Sequence, residues 1–345
     1  MPQNNSRNNQ SFKIIVVRFS AMGDVILTKP VLESFIKKYS HIKVYLLSQK
    51  TFKPVFQDLT NLTFIEADLK KQHKGIPGLW KLAQELKPYQ FSFIIDLHFV
   101  LRSVILSFFM KMTSIDLRIF RINKGRSEKR NLTKRFNKIR QPLKHTIERY
   151  ADVFAKAGLP INTSLPPKPK KFKKKSFGKL KIGIAPLSRH LLKEWPQDFM
   201  TQLMNLLSGD FAIDFYILGS PDETNKLKNY ASENSAIMAG KLNFTDEIDF
   251  IKTLDAVITM DSANMHLAGV FGIPCISIWG PTHPYAGFSP IGKQNLVIQN
   301  LNLNCRPCSV FGNKPCYRKD HACMMELTPN QIYKEVKSFI LKLRA

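Results

Sequence analysis

Acidic residues are scarce in this chain: 26 Asp and Glu face 52 Lys and Arg, a formal net charge of +26 over 345 residues. Long apolar runs are lacking too. The most hydrophobic stretch, FSFIIDLHFVLRSVILSFFM at 91–110, is broken by Asp96, His98 and Arg102. A membrane-spanning helix needs about 18 or more nearly uninterrupted apolar residues, so this is not one. The opening residues MPQNNSRNNQ hold no apolar segment, which argues against a signal peptide. Residues 1–11 read as a disordered tail, and the protein as cytoplasmic. No RNP, KH, zinc-finger or helix-turn-helix pattern accompanies the basic charge. Cysteine is sparse, with five residues. Apolar residues, by contrast, make up 44% of the chain, enough for real cores, and the length suits two domains of about 150 residues each.

The positive charge is clustered. Residues 118–149 hold twelve Lys or Arg against two Glu, and PPKPKKFKKKSFGKLK (166–181) holds eight Lys and no acid. Scattered lysines usually do no more than keep a surface solvated. Clusters favour an anionic partner, either nucleic acid or an anionic membrane face, where each basic residue contributes about 1 kcal/mol. With no nucleic-acid module present, the favoured reading is attachment through both segments to the inner face of the cytoplasmic membrane.

Apolar strands alternate with amphipathic helices. FKIIVVR (12–18), KVYLLS (43–48), TFIEA (63–67) and FSFIID (91–96) read as strands. Asp24 to Lys38, 79–87, 99–111 and HTIERYADVFAKAGLP read as helices, the last stopped by Gly158-Leu159-Pro160. This alternation predicts a parallel sheet covered on both faces. PINTSLPPKPKKFKKK then breaks the pattern as a Pro- and Lys-rich linker. The alternation restarts with LKIGIAP (180–186), a helix from Pro196, FAIDFYILG (211–219), helices at 222–233 and 245–253, DAVITM (255–260), a helix at 263–271 and PCISIWG (274–280). A last helix opens with Thr328 as cap and Pro329 at its first position, and carries the apolar stripe Ile332, Val336, Phe339, Ile340 and Leu343. The expected organisation is therefore a tail (1–11), a first domain (12–163), a linker (164–179), a second domain (180–328) and a terminal helix (329–345). The fold class is α/β: two doubly wound parallel-sheet domains facing a cleft, with ligands beyond the carboxyl ends of the strands.

Suspicious polar residues fall at those carboxyl ends. In RFSAMGDVILTKP a tight turn through Gly23 leads to Asp24 at a helix start. Asp24 reads either as a helix cap worth about 1 kcal/mol or as a carboxylate that takes a proton from a hydroxyl nucleophile. In MDSANMHLAGVFGIPCISIWGPTHP the helix after Asp261 offers free amides and roughly half a positive charge to an anion. Ser262 and His266 lie four apart and share a face of that helix; the plainer reading is a capped helix with a satisfied core histidine. Asp261 would repel a phosphate, so it suits orienting amides or accepting from a sugar hydroxyl. In APLSRHLLKEWPQDF, Lys193 precedes a helix start and suits a diphosphate leaving group, though most lysines are merely solvated. Gly219 ends another strand as a turn or as a nucleotide contact.

Taken together, RFSAMGDVILTKPVL, IIDLHFVLRS, HTIERYADVFAKAGLP, the K-x-W-P of LLKEWP, GKLNFTDEI and the stretch from Met260 to Pro284 resemble glycosyltransferase family 9, the ADP-heptose:lipopolysaccharide heptosyltransferases and their relatives. The resemblance runs in family order over most of the chain. It implies a GT-B-type fold of two Rossmann-like domains, with the terminal helix packing back on the first. It also implies an inverting transfer that needs no metal or other cofactor. The donor is a nucleotide-diphosphate sugar, expected to be ADP-heptose, and the acceptor a lipopolysaccharide core or other lipid-linked anionic saccharide. By resemblance Asp24 is the general base, and Gly23, His98 and Arg102 lie on the acceptor side. Ser188, Lys193 and the amides after Asp261 hold the donor's diphosphate, with Arg189 and Gly219 also among the donor-binding residues; Ser262, Ala263 and His266 share that pocket, and Leu242 lies near the base. Two positions depart from the family pattern: Ala263 stands where glycine is usual, and Arg189 where a small hydroxyl residue is frequent.

Cys305, Cys308, Cys316 and Cys323 have the spacing C-x2-C-x7-C-x6-C, compatible with a structural zinc, with two disulfides or four free thiols as the alternatives. Cys275, in a strand, reads as core. Two rival functions stay open: a non-catalytic nucleic-acid-binding protein on the same scaffold, supported by charge alone, and a GT-B-type nucleotide-sugar epimerase.

Overall fold

The computed structural model describes residues 12–163, 178–292 and 294–344. The expected tail 1–11 and linker residues 164–177, with most of the Lys-rich run, lie outside them. The chain divides into two compact units. Described residues up to Asn123, together with Ile147–Thr163, form the first; Lys124–Thr146 and the residues from Gly178 onward form the second.

Runs of Ile, Val and Leu that are buried on both faces build the first unit's sheet. Its strands are β1 (Lys13–Val17), β2 (Lys43–Ser48), β3 (Leu62–Glu66), β4 (Phe93–Asp96) and β5 (Arg118–Arg121), all parallel, in the order β3-β2-β1-β4-β5. Helices α1 (Met22–Ile26), α2 (Lys29–Lys38), α3 (Gly75–Leu86) and α4 (Leu101–Thr113) connect them. The expected helix from Asp24 to Lys38 breaks at Leu27–Thr28, just before Lys29 and Pro30 restart it as α2. One side of the sheet packs Ile15, Val17, Tyr45, Leu47 and Ile94 against Leu79, Leu82, Leu86, Leu106 and Met110 of α3 and α4.

After α5 (Arg126–Leu132) and α6 (Thr146–Lys156), the second sheet is formed by β6 (Leu180–Ala185), β7 (Ile213–Ile217), β8 (Ser235–Ile237), β9 (Ala256–Met260), β10 (Cys275–Trp279) and β11 (Asn295–Gln299). It too is wholly parallel, ordered β11-β10-β9-β6-β7-β8. Its helices are α7 (Gln197–Asp210), α8 (Thr224–Leu227), α9 (Phe244–Ile251), α10 (Ala263–Val270), α11 (Ala322–Met325) and α12 (Pro329–Arg344). The helix expected at 222–233 is only short turns around α8. The strands absent from the sequence reading, β5, β8 and β11, are all edge strands and largely half-buried, so they lack the continuous buried apolar run of the central ones.

Two expectations about organisation change. The boundary near residue 163 assigned 124–146 to the first domain, but this stretch belongs with the second unit. It has no apolar period of its own and is held by second-unit loops. Lys138 Nζ donates to the carbonyls of Cys305 (2.5 Å) and Pro307 (2.9 Å), and Arg140 to that of Leu303 (2.9 Å); the Leu143 amide donates to Tyr285 O (2.9 Å). The terminal helix α12 buries Ile332, Val336 and Ile340 in the second unit's core beside α7, so the stripe expected to cover the first domain is used there. No helix among the described residues is long and apolar enough to cross a membrane.

Candidate active site

In a doubly wound sheet the connections from two neighbouring central strands leave on opposite faces, which opens a crevice at their carboxyl ends. In the first unit those strands are β1 and β4. The loop after β1 carries Gly23 and Asp24, and that after β4 carries His98 and Arg102, so the order of strands gathers residues some 75 positions apart in sequence. Arg18, only 6% exposed at the end of β1, is the organiser that sequence reasoning missed. Its guanidinium binds Asp24 Oδ2 at 2.5 Å and donates to Leu97 O at 2.6 Å, tying both loops together. Asp24 Oδ1 has no protein partner among the described residues. Tyr150 of α6, fully buried, donates to the Asp24 carbonyl at 3.1 Å, and burial holds its phenol well above the usual range. Asp24 therefore sits in the first turn of α1 yet is steered by tertiary partners, not only by the helix.

Behind β4, the buried Asp96 accepts from the amides of His98 (2.9 Å) and Phe99 (2.7 Å) and from Ser103 Oγ (2.9 Å), which shapes the turn into α4. His98 Nε2 lies 3.5 Å from Ser20 Oγ across the switch point. Arg102 is exposed on the first turn of α4. An inward carboxylate at the end of an apolar strand is the signal that could have singled out Asp96.

In the second unit the switch point lies between β6 and β9. Lys193, after β6, reaches Asp261 at the end of β9: Nζ to Oδ2 is 3.1 Å, and each side chain is 11% exposed. The sequence placed both residues at the site but did not pair them. Ser262 caps α10 in extended conformation, its Oγ 3.0 Å from Thr259 Oγ1, so the hydroxyl is turned back on the strand and the first amides of α10 are not capped by a side chain. His266 is buried one turn in, 6% exposed. Ser188 offers a buried hydroxyl without a partner among the described residues, while its amide is taken by Glu194 Oε1 at 2.9 Å. Burial, partly offset by that hydrogen bond, raises the Glu194 carboxyl. Arg189 is exposed, and beside it His190 is lowered by burial and by the charges of Lys193 and Arg189.

Gly219 follows β7, where an added Cβ would crowd Leu227 and Glu223, so a side chain is excluded for packing reasons whatever ligand lies near. Leu242 is half-buried just before Asn243, whose side chain caps α9 through the Asp246 amide at 3.0 Å. Ala263 is half-buried at the first position of α10. Gly312, which the sequence did not flag, has φ +77° and lies against Lys193; a Cβ there would run into the lysine's Cγ and Cδ.

The cysteines Cys305, Cys308, Cys316 and Cys323, with Asp320 and His321, line one small cavity of about 10 Å³. All are free thiols, and burial pushes Cys308 up to about 11 and Cys323 up to about 12. Among the described residues no three His, Cys, Asp or Glu side chains are gathered closely enough to hold a metal. Cys275 is fully buried in β10, as expected of a core residue.

Two doubly wound parallel-sheet units in tandem, each with polar side chains at its switch point, define the GT-B-type architecture of a nucleotide-sugar-dependent glycosyltransferase. The chain belongs to glycosyltransferase family 9 (heptosyltransferase), whose model matches residues 79–316, and it is an enzyme of that class. It is 25% identical over 342 residues to lipooligosaccharide heptosyltransferase 2 of Campylobacter jejuni, covering 94% of this chain and 98% of the relative. The fold matches a family 9 glycosyltransferase from Veillonella parvula with a TM-score of 0.73 at 18% identity, over 98% of this chain and 100% of that one. It also matches heptosyltransferase WaaC of E. coli, solved with ADP-2-deoxy-2-fluoro heptose, with a TM-score of 0.66 at 18% identity, over 95% and 99% of the two chains.

Proposed function

We propose that this enzyme transfers a heptose from ADP-heptose, with inversion and without a catalytic metal, to a lipopolysaccharide core or another lipid-linked anionic saccharide, acting from the inner face of the cytoplasmic membrane. The observation that carries the reading is the Lys193–Asp261 pair beside the uncapped start of α10, in a chain of the heptosyltransferase family. The Lys193 ammonium and the α10 amides oppose the charge that grows on the departing diphosphate. Ser188 Oγ is free to donate to it, with His266 in the same pocket and Arg189, Gly219, Ala263 and Leu242 at its rim. Asp24, held through Oδ2 by Arg18, uses Oδ1 to accept the acceptor hydroxyl's proton. As the acceptor oxygen bonds to the anomeric carbon, the bond from that carbon to the diphosphate oxygen breaks on the opposite face and ADP leaves. Gly23, His98 and Arg102 flank the acceptor.

ADP release from ADP-heptose that depends on both the saccharide acceptor and Asp24 tests this. Efficient turnover of UDP- or GDP-linked sugars in its place would overturn the donor assignment and leave the transferase standing. Formation of an epimerised nucleotide sugar without an acceptor and without net ADP release would favour the epimerase reading instead. A structural zinc at Cys305, Cys308, Cys316 and Cys323 belongs to the same proposal. Its support is the shared cavity, which has room for about one atom-sized guest, and binding requires the four thiols to close in as thiolates.

A further inference from the structure

The stretch 124–146 brings its cations to the loop that follows β11. Arg130, Lys134 and Arg135 there, and Lys314 from that loop, line a single cavity of about 460 Å³ with Thr133, Pro315, Tyr317 and, at its border with the cysteine cluster, Cys305 and Cys308. None of these four cations has a carboxylate partner among the described residues, and all four are exposed. The Arg135 guanidinium lies 4.6 Å from the centre of the Tyr317 ring and 5.4 Å from that of Phe136, which fixes its direction. Four like charges converging on one concavity repel each other unless an anion joins them. Beside them, the backbone closes a turn through the Ile139 amide and Asn131 O (3.2 Å), and this turn holds Phe136 at 74% and Ile139 at 48% exposure.

We propose that this pocket is a docking site for the phosphate of an anionic lipid headgroup, with Phe136 and Ile139 entering the headgroup–acyl boundary. The proposal rests on the reading that the acceptor is lipid-linked and adds where the protein meets that surface. Exposed apolar side chains interleaved with cations suit an interfacial surface, because the cations meet headgroup phosphates while the apolar groups leave water. A compact cavity with unpaired cations also suits a phosphomonoester or phosphodiester headgroup better than an extended duplex. The cavity belongs to the second unit and is built by a segment that the sequence assigned to the first.

Co-sedimentation of the full chain with vesicles of phosphatidylglycerol in phosphatidylcholine, against phosphatidylcholine alone, tests the proposal. Wild type binds only the anionic vesicles. The triple variant Lys134→Glu, Arg135→Glu, Lys314→Glu loses binding by roughly a hundredfold or more, from about fivefold for each basic residue at the surface. Phe136→Ser weakens binding without altering its dependence on anionic lipid. A charge-matched control, Lys81→Glu, Lys87→Glu, Lys156→Glu, loses less than tenfold. Unchanged ADP affinity in every variant shows that the fold is intact, and ADP-heptose turnover on a delipidated acceptor separates failure here from failure of the transferase reading. Equal losses in the triple variant and the control overturn the site, as does binding of inorganic diphosphate or single-stranded RNA at the pocket without affinity for vesicles.

Discussion

In the proposed function Lys193 and Asp261 are the pair on which donor binding turns, and their geometry sets what each substitution is expected to do. At 3.1 Å and an effective dielectric of about 20, their attraction is about 5 kcal/mol before desolvation is counted. Lys193→Met leaves the Asp261 carboxylate, 11% exposed, without its cation, at a cost of about 3 kcal/mol, the lower end of the range for a broken buried pair. For a unit of this size that lowers the melting temperature by roughly 6–12 °C. It also removes a charge-assisted donor worth about 1.5–3 kcal/mol to a diphosphate, a 10- to 100-fold loss of ADP affinity. Asp261→Asn destabilises too, but it frees the ammonium and removes the repelling carboxylate, so ADP binds as well as before or more tightly. The double variant Lys193→Met, Asp261→Asn recovers part of the stability and, of the affinity, only the share lost to the unpaired Asp261 carboxylate, not the share that the ammonium supplied. Thermal unfolding and titration calorimetry with ADP read both quantities on the same samples. If Lys193→Met keeps ADP affinity within twofold of wild type, the diphosphate does not lie at this switch point.

Asp24→Asn keeps the size of the side chain, so it lowers turnover by about 10²- to 10⁴-fold with donor affinity unchanged, as single-turnover kinetics with ADP-heptose would report; retention of more than a tenth of the activity would rule out Asp24 as base. Gly312→Ala forces a Cβ into Lys193 at a residue with φ +77°, and is expected to weaken ADP several-fold by displacing the ammonium. His283, whose Nδ1 accepts from the Tyr285 amide at 3.1 Å, is lowered to about 4 by burial and by Arg306, Arg140 and Lys138. The unfolded chain takes up that proton near 6.5 and the native state only near 4, so native stability falls as pH drops through this window. His283→Asn flattens that part of the unfolding profile, and an identical slope in both proteins would refute the assignment. On the zinc reading, metal analysis of protein purified without chelator finds about one zinc per chain, lost in Cys308→Ser together with Cys323→Ser; zinc-free protein of unchanged stability leaves the four as the free thiols seen here.

The amino-acid sequence by itself determined the fold class, because buried β-branched runs and helical periods are local properties that one stretch of chain carries alone. KIIVV and AVITM could be little but central strands, and the polar residues at their carboxyl ends marked Asp24 and Asp261 before any contact was visible. Pairings decided by distance in space were not legible. Arg18 reads as the last residue of a strand, Tyr150 as one aromatic on an amphipathic helix, and Lys193 as one lysine among many; each acquires its role only when the parallel crossovers bring β1 beside β4 and β6 beside β9. The same holds for 124–146: with no apolar period, its place is set by the carbonyls that Lys138 and Arg140 find in the second unit, and only the folded chain decides which unit receives that charge.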